Sequence, residues 1–206
     1  MPDVRRFVKA SWIALALVVA FAVAAHGQQP GAGVVSADVA RKALEEAIRY
    51  AEVTYEFQGE QRQGVAYLWG GRMSVDAFLQ AVREGKEPGV EAGADASAVV
   101  VNAYRAADPG IRFAVGSGEA ARFELDANSR TLYDFNVRFV PVEELRPGDL
   151  IFFSGEGGEV AGVGVFERRE GPLVHFVVAS ASAGRVIRTF LNVNNEYWRT
   201  RFLAAG

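Results

Sequence analysis

The stretch GADASAVV, Gly93 to Val100, decides how this chain is read. Gly-Ala-Asp reads as a turn feeding a helix, because Asp95 and Ser97 are residue types that satisfy the free N–H groups of a helix start. Val99, Val100, Ala103, Tyr104 and Ala107 then recur at helical spacing until Asp108-Pro109-Gly110 stops the pattern. The spacing predicts a helix from Ser97 to Ala107, with Ser97 capping a run that begins near Ala98. Such a turn and helix form a mount for a reactive side chain, yet the position that would carry it is Ala96.

Upstream of this stretch the pattern is helical. Ser36 predicts a capped helix to about Tyr55, with Val39, Ala43, Leu44, Ala47, Ile48 and Ala51 on one face. The polar segment QGEQRQG (58–64) reads as a loop leading to VAYLWGGR (65–72), where a Gly-Gly pair allows close backbone approach. SVDAFLQAVREG (74–85) carries a capping serine and a terminal glycine, and predicts a second helix. Downstream the period changes. IRFAV, ARFEL, LYDFNVRFV, LIFFS, VAGVGVF, VHFVVAS and RVIRTFL are short, β-branched or aromatic, and separated by turn residues, so each reads as a strand. Gly155 to Gly158 reads as a hairpin-like loop. Helices first and antiparallel strands second predict an α+β domain. GSGEAA at Gly116 matches a dinucleotide-binding fingerprint only in letters, because no strand–turn–helix surrounds it.

The N-terminus has its own character. Arg5, Arg6 and Lys9 precede the apolar run SWIALALVVAFAVAA, which ends in small residues, the pattern of a secretory signal. Residues 1–27 are read as a signal peptide or N-terminal anchor, 28–35 as a linker and 36–206 as the domain, which places the domain in the periplasm or outside the cell. Membrane contact is expected only through that first segment, if it stays uncleaved. The chain has 22 Lys+Arg against 25 Asp+Glu, a net charge of −3, which disfavours a nucleic-acid partner. It has no cysteine, so disulfides, thiol nucleophiles and thiolate metal ligands are excluded. His26 and His175 are the only histidines, too few for a histidine-built zinc site once the signal is removed, and no metal or cofactor is expected.

Taken together, YLWGG (67–71), ADASAVVVNAYRAA (94–107), LRPGDLIFF (145–153), GVGVF (162–166), FVVAS (176–180) and EYWRTRF (196–202) fall in an order that resembles the NlpC-type cell-wall endopeptidases, a branch of the papain-like cysteine peptidases. The resemblance implies a papain-like domain whose N-terminal helices pack on a mainly antiparallel sheet. It also implies a cysteine at a helix start, a histidine on one strand and a third polar residue on the next. In that chemistry the helix dipole and the imidazole favour a thiolate, and the third group orients the ring. Carried onto this chain, those positions are Ala96, Gly162 and Val178. All three functional side chains are missing.

The resemblance, with the N-terminal signal pattern, therefore implies an exported pseudoenzyme that binds a peptidoglycan stem peptide or an envelope protein. Tyr67, Trp69, Asp95 and Ser97 are the expected ligand-binding residues of the retained groove. Two other readings stand beside it. Ser97 and His175 could form a substitute hydrolase, although strand alternation points His175 away from Val178. The domain could also act through its outer surface as a regulator of an active wall hydrolase. Asp149 is expected to fix a turn with Pro147 and Gly148. Arg168, Arg169, Arg199 and Arg201 are expected on solvated strand edges and the tail.

Overall fold

The computed structural model describes residues 35–206. The signal or anchor reading of residues 1–27 and nearly all of the linker lie outside the described residues. Among the described residues no helix is long and apolar enough to cross a membrane.

Ser36 accepts a hydrogen bond from the Val39 amide and opens α1 (Ala37–Glu52), which buries Ala43, Leu44, Ala47, Tyr50 and Ala51. The helix ends earlier than its periodicity suggests, because β1 (Thr54–Phe57) and β2 (Glu60–Gln63) form an antiparallel hairpin where a loop was expected. Gln58 and Gly59 both have positive φ, 54° and 81°, the backbone that joins two twisted strands through a two-residue turn. α2 (Val75–Arg83) is capped by Ser74, and α3 (Ala96–Ala107) runs through the centre of the domain.

β3 (Phe113–Val115) and β4 (Arg122–Glu124) make a small second hairpin. The next segment corrects an expectation: the first part of LYDFNVRFV is helical, within α4 (Ser129–Phe135). Asn128 caps it by accepting from the Thr131 amide, and Asn136 stops it by bonding to Thr131 and to both backbone groups of Ala114 on β3. Those side-chain bonds override the alternating pattern.

The main sheet is five-stranded and antiparallel in the order β8-β7-β6-β5-β9, from β5 (Leu150–Ser154), β6 (Val160–Glu170), β7 (Leu173–Ser180), β8 (Arg185–Asn192) and β9 (Phe202–Ala205). A short helix α5 (Glu196–Arg201) precedes β9. Alternation along the strands gives each face its own core. Leu150, Phe152, Val163, Val165, Val177 and Val186 join α1, α2 and α3 in a first cluster. Ile151, Phe166, Val174, Phe176 and Leu191 form a second, against which Phe153, Trp198 and Phe202 pack. Helices on a mainly antiparallel sheet confirm the α+β class.

The Arg146-Pro147-Gly148-Asp149 turn behaves as its residues require. Asp149 accepts from the Arg146 amide at 2.7 Å, and Gly148 has φ +100°. Tyr104 of α3 donates to the Gly148 carbonyl at 2.7 Å, tying the turn to the helix.

Candidate functional site

Two glycine turns position the start of α3. The Ala94 amide donates to Ala66, Leu68 to Ala94, and Asp95 to Gly71, so YLWGG and GADAS are laced backbone to backbone. No side chain fits between them. A Cβ on Gly71 would lie 2.6 Å from the Gly93 carbonyl oxygen, and one on Gly93 would lie 2.5 Å from that of Ala66. Of the Gly-Gly pair, Gly71 is thus needed for close approach, whereas Gly70 faces open space and serves the turn through its positive φ of 73°.

Asp95, not Ser97, is the helix cap, and α3 starts at Ala96 rather than near Ala98. Asp95 Oδ1 accepts from the Ala98 amide at 2.7 Å, from the Ser97 hydroxyl at 2.9 Å and from Arg72 Nη1 at 3.1 Å. A carboxylate reaches the free N–H groups better from this position and adds its charge to the helix N-terminus. Ser97 is buried, and its hydroxyl also accepts from Arg72 Nη1 at 2.7 Å. Arg72 further pairs with Asp126 and donates to the Ala127 carbonyl at 3.2 Å. These groups, with Asn128 and Thr131, line an open cavity of about 380 Å³.

The remaining expected residues take separate places. Tyr67 is half-buried and packs on the first cluster, and its hydroxyl is held above the ordinary tyrosine range by burial and then by the Asp95 charge. Trp69 stands 82% exposed at the tip of the glycine turn. Ala96 is partly buried and packs against the first cluster. Gly162 pairs with Phe153, and Val178 packs with Phe153 against the second cluster, so the sheet brings these two to one face. A Cβ on Gly162 would meet Phe153 at 3.7 Å, an ordinary contact.

Ser97 and His175 are not brought together. Both partners of the Ser97 hydroxyl are charged groups at the helix start. His175 pairs with Arg168 and Phe190 in the sheet, its ring 5.6 Å from that of Phe190. Its Nε2 lies 3.3 Å from Glu170 without making a hydrogen bond. Tyr67 docks on the other end of β7, through Gly184. About 16 Å of strand separates that end from His175, at about 3.3 Å per residue.

Arg72 and Asp126 were missed by reading the sequence. Arg72 immediately follows YLWGG, but nothing local announces partners 23, 25 and 55 residues away. Of the arginines expected on strand edges and the tail, Arg168 pairs with Glu167 and Glu170, Arg169 with Glu143, and Arg201 lies over the Tyr197 ring. Among the described residues no three His, Asp or Glu side chains are grouped as a metal cage requires.

No curated protein matches the chain. The family model described as NlpC/P60 family matches residues 64–206, from just before YLWGG to the last strand of the sheet. The interlocked glycine turns, the central helix and the antiparallel sheet all lie within that match, and the chain belongs to the NlpC/P60 family, whose domains are peptidase-like and related to the cell wall.

Proposed function

We propose that this chain is an exported NlpC/P60 domain without peptidase activity, which uses the cleft at the start of α3 to bind a cell-wall stem peptide or an envelope protein. One observation carries the reading. Where a nucleophile would be mounted there is the methyl group of Ala96, and the neighbouring polar groups of Asp95 and Ser97 are saturated by the Arg72 guanidinium. Gly162 and Val178, at the other two positions, pack toward the second cluster while Ala96 packs against the first, and none of these three side chains can accept or return a proton. Loss of a nucleophile–base unit costs about a million-fold in rate. Export rests on the N-terminal basic and apolar pattern of the sequence.

The exposed Trp69, the Tyr67 hydroxyl and the polar rim of Asn128 and Thr131 are the groups that remain for binding. An exposed indole offers a stacking surface and a donor to a peptide. Calorimetric titration of the purified protein with soluble wall peptides, alongside pull-down from envelope extract, tests this. Binding is expected, together with its loss in Ala96→Trp, which adds an indole between Asp95 and Ser97 of the cleft wall. A folded Ala96→Trp protein that keeps its partner would move the binding to the outer surface, and absence of binding to both wall peptides and envelope proteins would sink the proposal.

A further inference from the structure

A second cavity, of about 390 Å³, lies between the β1–β2 hairpin and the β7–β8 turn, and it shares no lining residue with the cavity at α3. Tyr55, Arg62, Gln63, Ala66 and Arg185 are among the residues that line it, and none of its lining residues is a carboxylate. Two cations thus face one space in a chain whose net charge is −3.

Both guanidinium groups are positioned by neighbours, and among the described residues exposed Glu60 is the one carboxylate that pairs with either. Arg62 stacks over the Phe57 ring at 5.3 Å and, among the described residues, pairs only with exposed Glu60, two residues away on its own strand. Such an exposed pair is weak and readily exchanged for another anion. Arg185 has no carboxylate partner among the described residues, and its Nη1 donates to the Gln63 carbonyl at 2.9 Å, leaving further N–H groups to bond elsewhere. Tyr55 sits opposite Arg62 in the hairpin and is fixed edge-on against Phe78 at 5.0 Å. Burial holds its hydroxyl above the ordinary range against the pull of both arginines, so both charges reach it. Guanidinium forks match the two-oxygen geometry of carboxylate and phosphate groups.

We propose that this cavity is an anion-binding site that takes a carboxylate or phosphate group of a solvent-borne ligand, with Arg62 and Arg185 as the clamp and the Tyr55 hydroxyl and Gln63 amide as neutral donors. It stands independently of any binding at α3.

Titrations of the intact protein with N-acetylglutamate and with glycerol phosphate, read by backbone amide chemical shifts, test it. Saturable shifts centred on Gln63, Gly184 and Arg185 are expected from at least one probe. Saturation by N-acetylglutamate assigns acidic peptides, saturation by glycerol phosphate assigns phosphate-bearing polymers, and either supports the site. Arg185→Gln and Arg62→Gln should each weaken binding about tenfold or more, while Arg199→Gln in the tail leaves it unchanged. Lack of saturation by both probes in the unaltered protein overturns the proposal. So does equal weakening by Arg199→Gln, or unchanged affinity in both cavity variants.

Discussion

At Asp95 one carboxylate oxygen serves the Ala98 amide, the Ser97 hydroxyl and the Arg72 guanidinium. Replacing it with alanine removes the cap and leaves Arg72 and Ser97 short of a partner. Asp95→Ala is therefore expected to lower stability by about 2 kcal/mol or more, and Asp95→Asn, which keeps an oxygen for the cap, by less. Urea unfolding of the two variants checks the order. The capping role of Asp95 was legible because acid-before-helix is a local pattern. The role of Arg72 was not, because a guanidinium that bridges GADAS to Asp126 and Ala127 is created by the fold. Ser97 was misplaced by the same rule that found Asp95: both residue types can cap, and only the backbone decides which one precedes the first turn.

The two glycine turns act as one element. With carbonyl oxygens 2.5 and 2.6 Å from where a Cβ would stand, Gly93→Ala and Gly71→Ala force the YLWGG and GADAS segments apart. Each is expected to cost about 3 kcal/mol, the upper range for overpacking, and to shift the Asp95 amide resonance because its bond to Gly71 lengthens. Chemical denaturation and amide spectra read both effects. Strands β5 to β8 were legible at this scale, since their β-branched and aromatic runs are bounded by turn residues such as Gly155, Gly171, Gly184 and Asn192. The β1–β2 hairpin was missed because its turn is Gln-Gly rather than the commoner Asn-Gly, and its second strand, EQRQ, carries no apolar residue. α4 was missed because aromatic residues favour strands by propensity, while Asn128 and Asn136 fix a helix through side-chain bonds.

Charge and burial set how the whole molecule responds to pH. The Glu167 carboxyl is held below its ordinary value of 4.5, first by its hydrogen bond from Arg188, which also binds Glu52. A depressed folded value stabilises the protein above the unfolded pKa, and that contribution is lost as pH falls below 4.5 through the folded value. Arg188→Gln should flatten this acid limb. At the other end, burial pushes the Tyr104 hydroxyl well above its ordinary value of 10.0. The folded protein keeps a proton that the unfolded chain releases, so this contribution is present below pH 10 and lost as pH rises above it. Tyr104→Phe should remove that alkaline loss while costing about 1 kcal/mol at neutral pH, through its bond to Gly148. Urea midpoints measured from pH 3 to 11 test both limbs.

The α+β architecture and its sheet were readable because they follow from periodic burial. The chemistry of the site rests on what Ala96, Gly162 and Val178 lack, which no periodic pattern reveals. The most direct test is incubation of the purified full-length protein with purified peptidoglycan, with soluble peptides measured by mass spectrometry. No release above buffer is predicted. Peptide release that disappears in Ser97→Ala or His175→Ala would contradict the account.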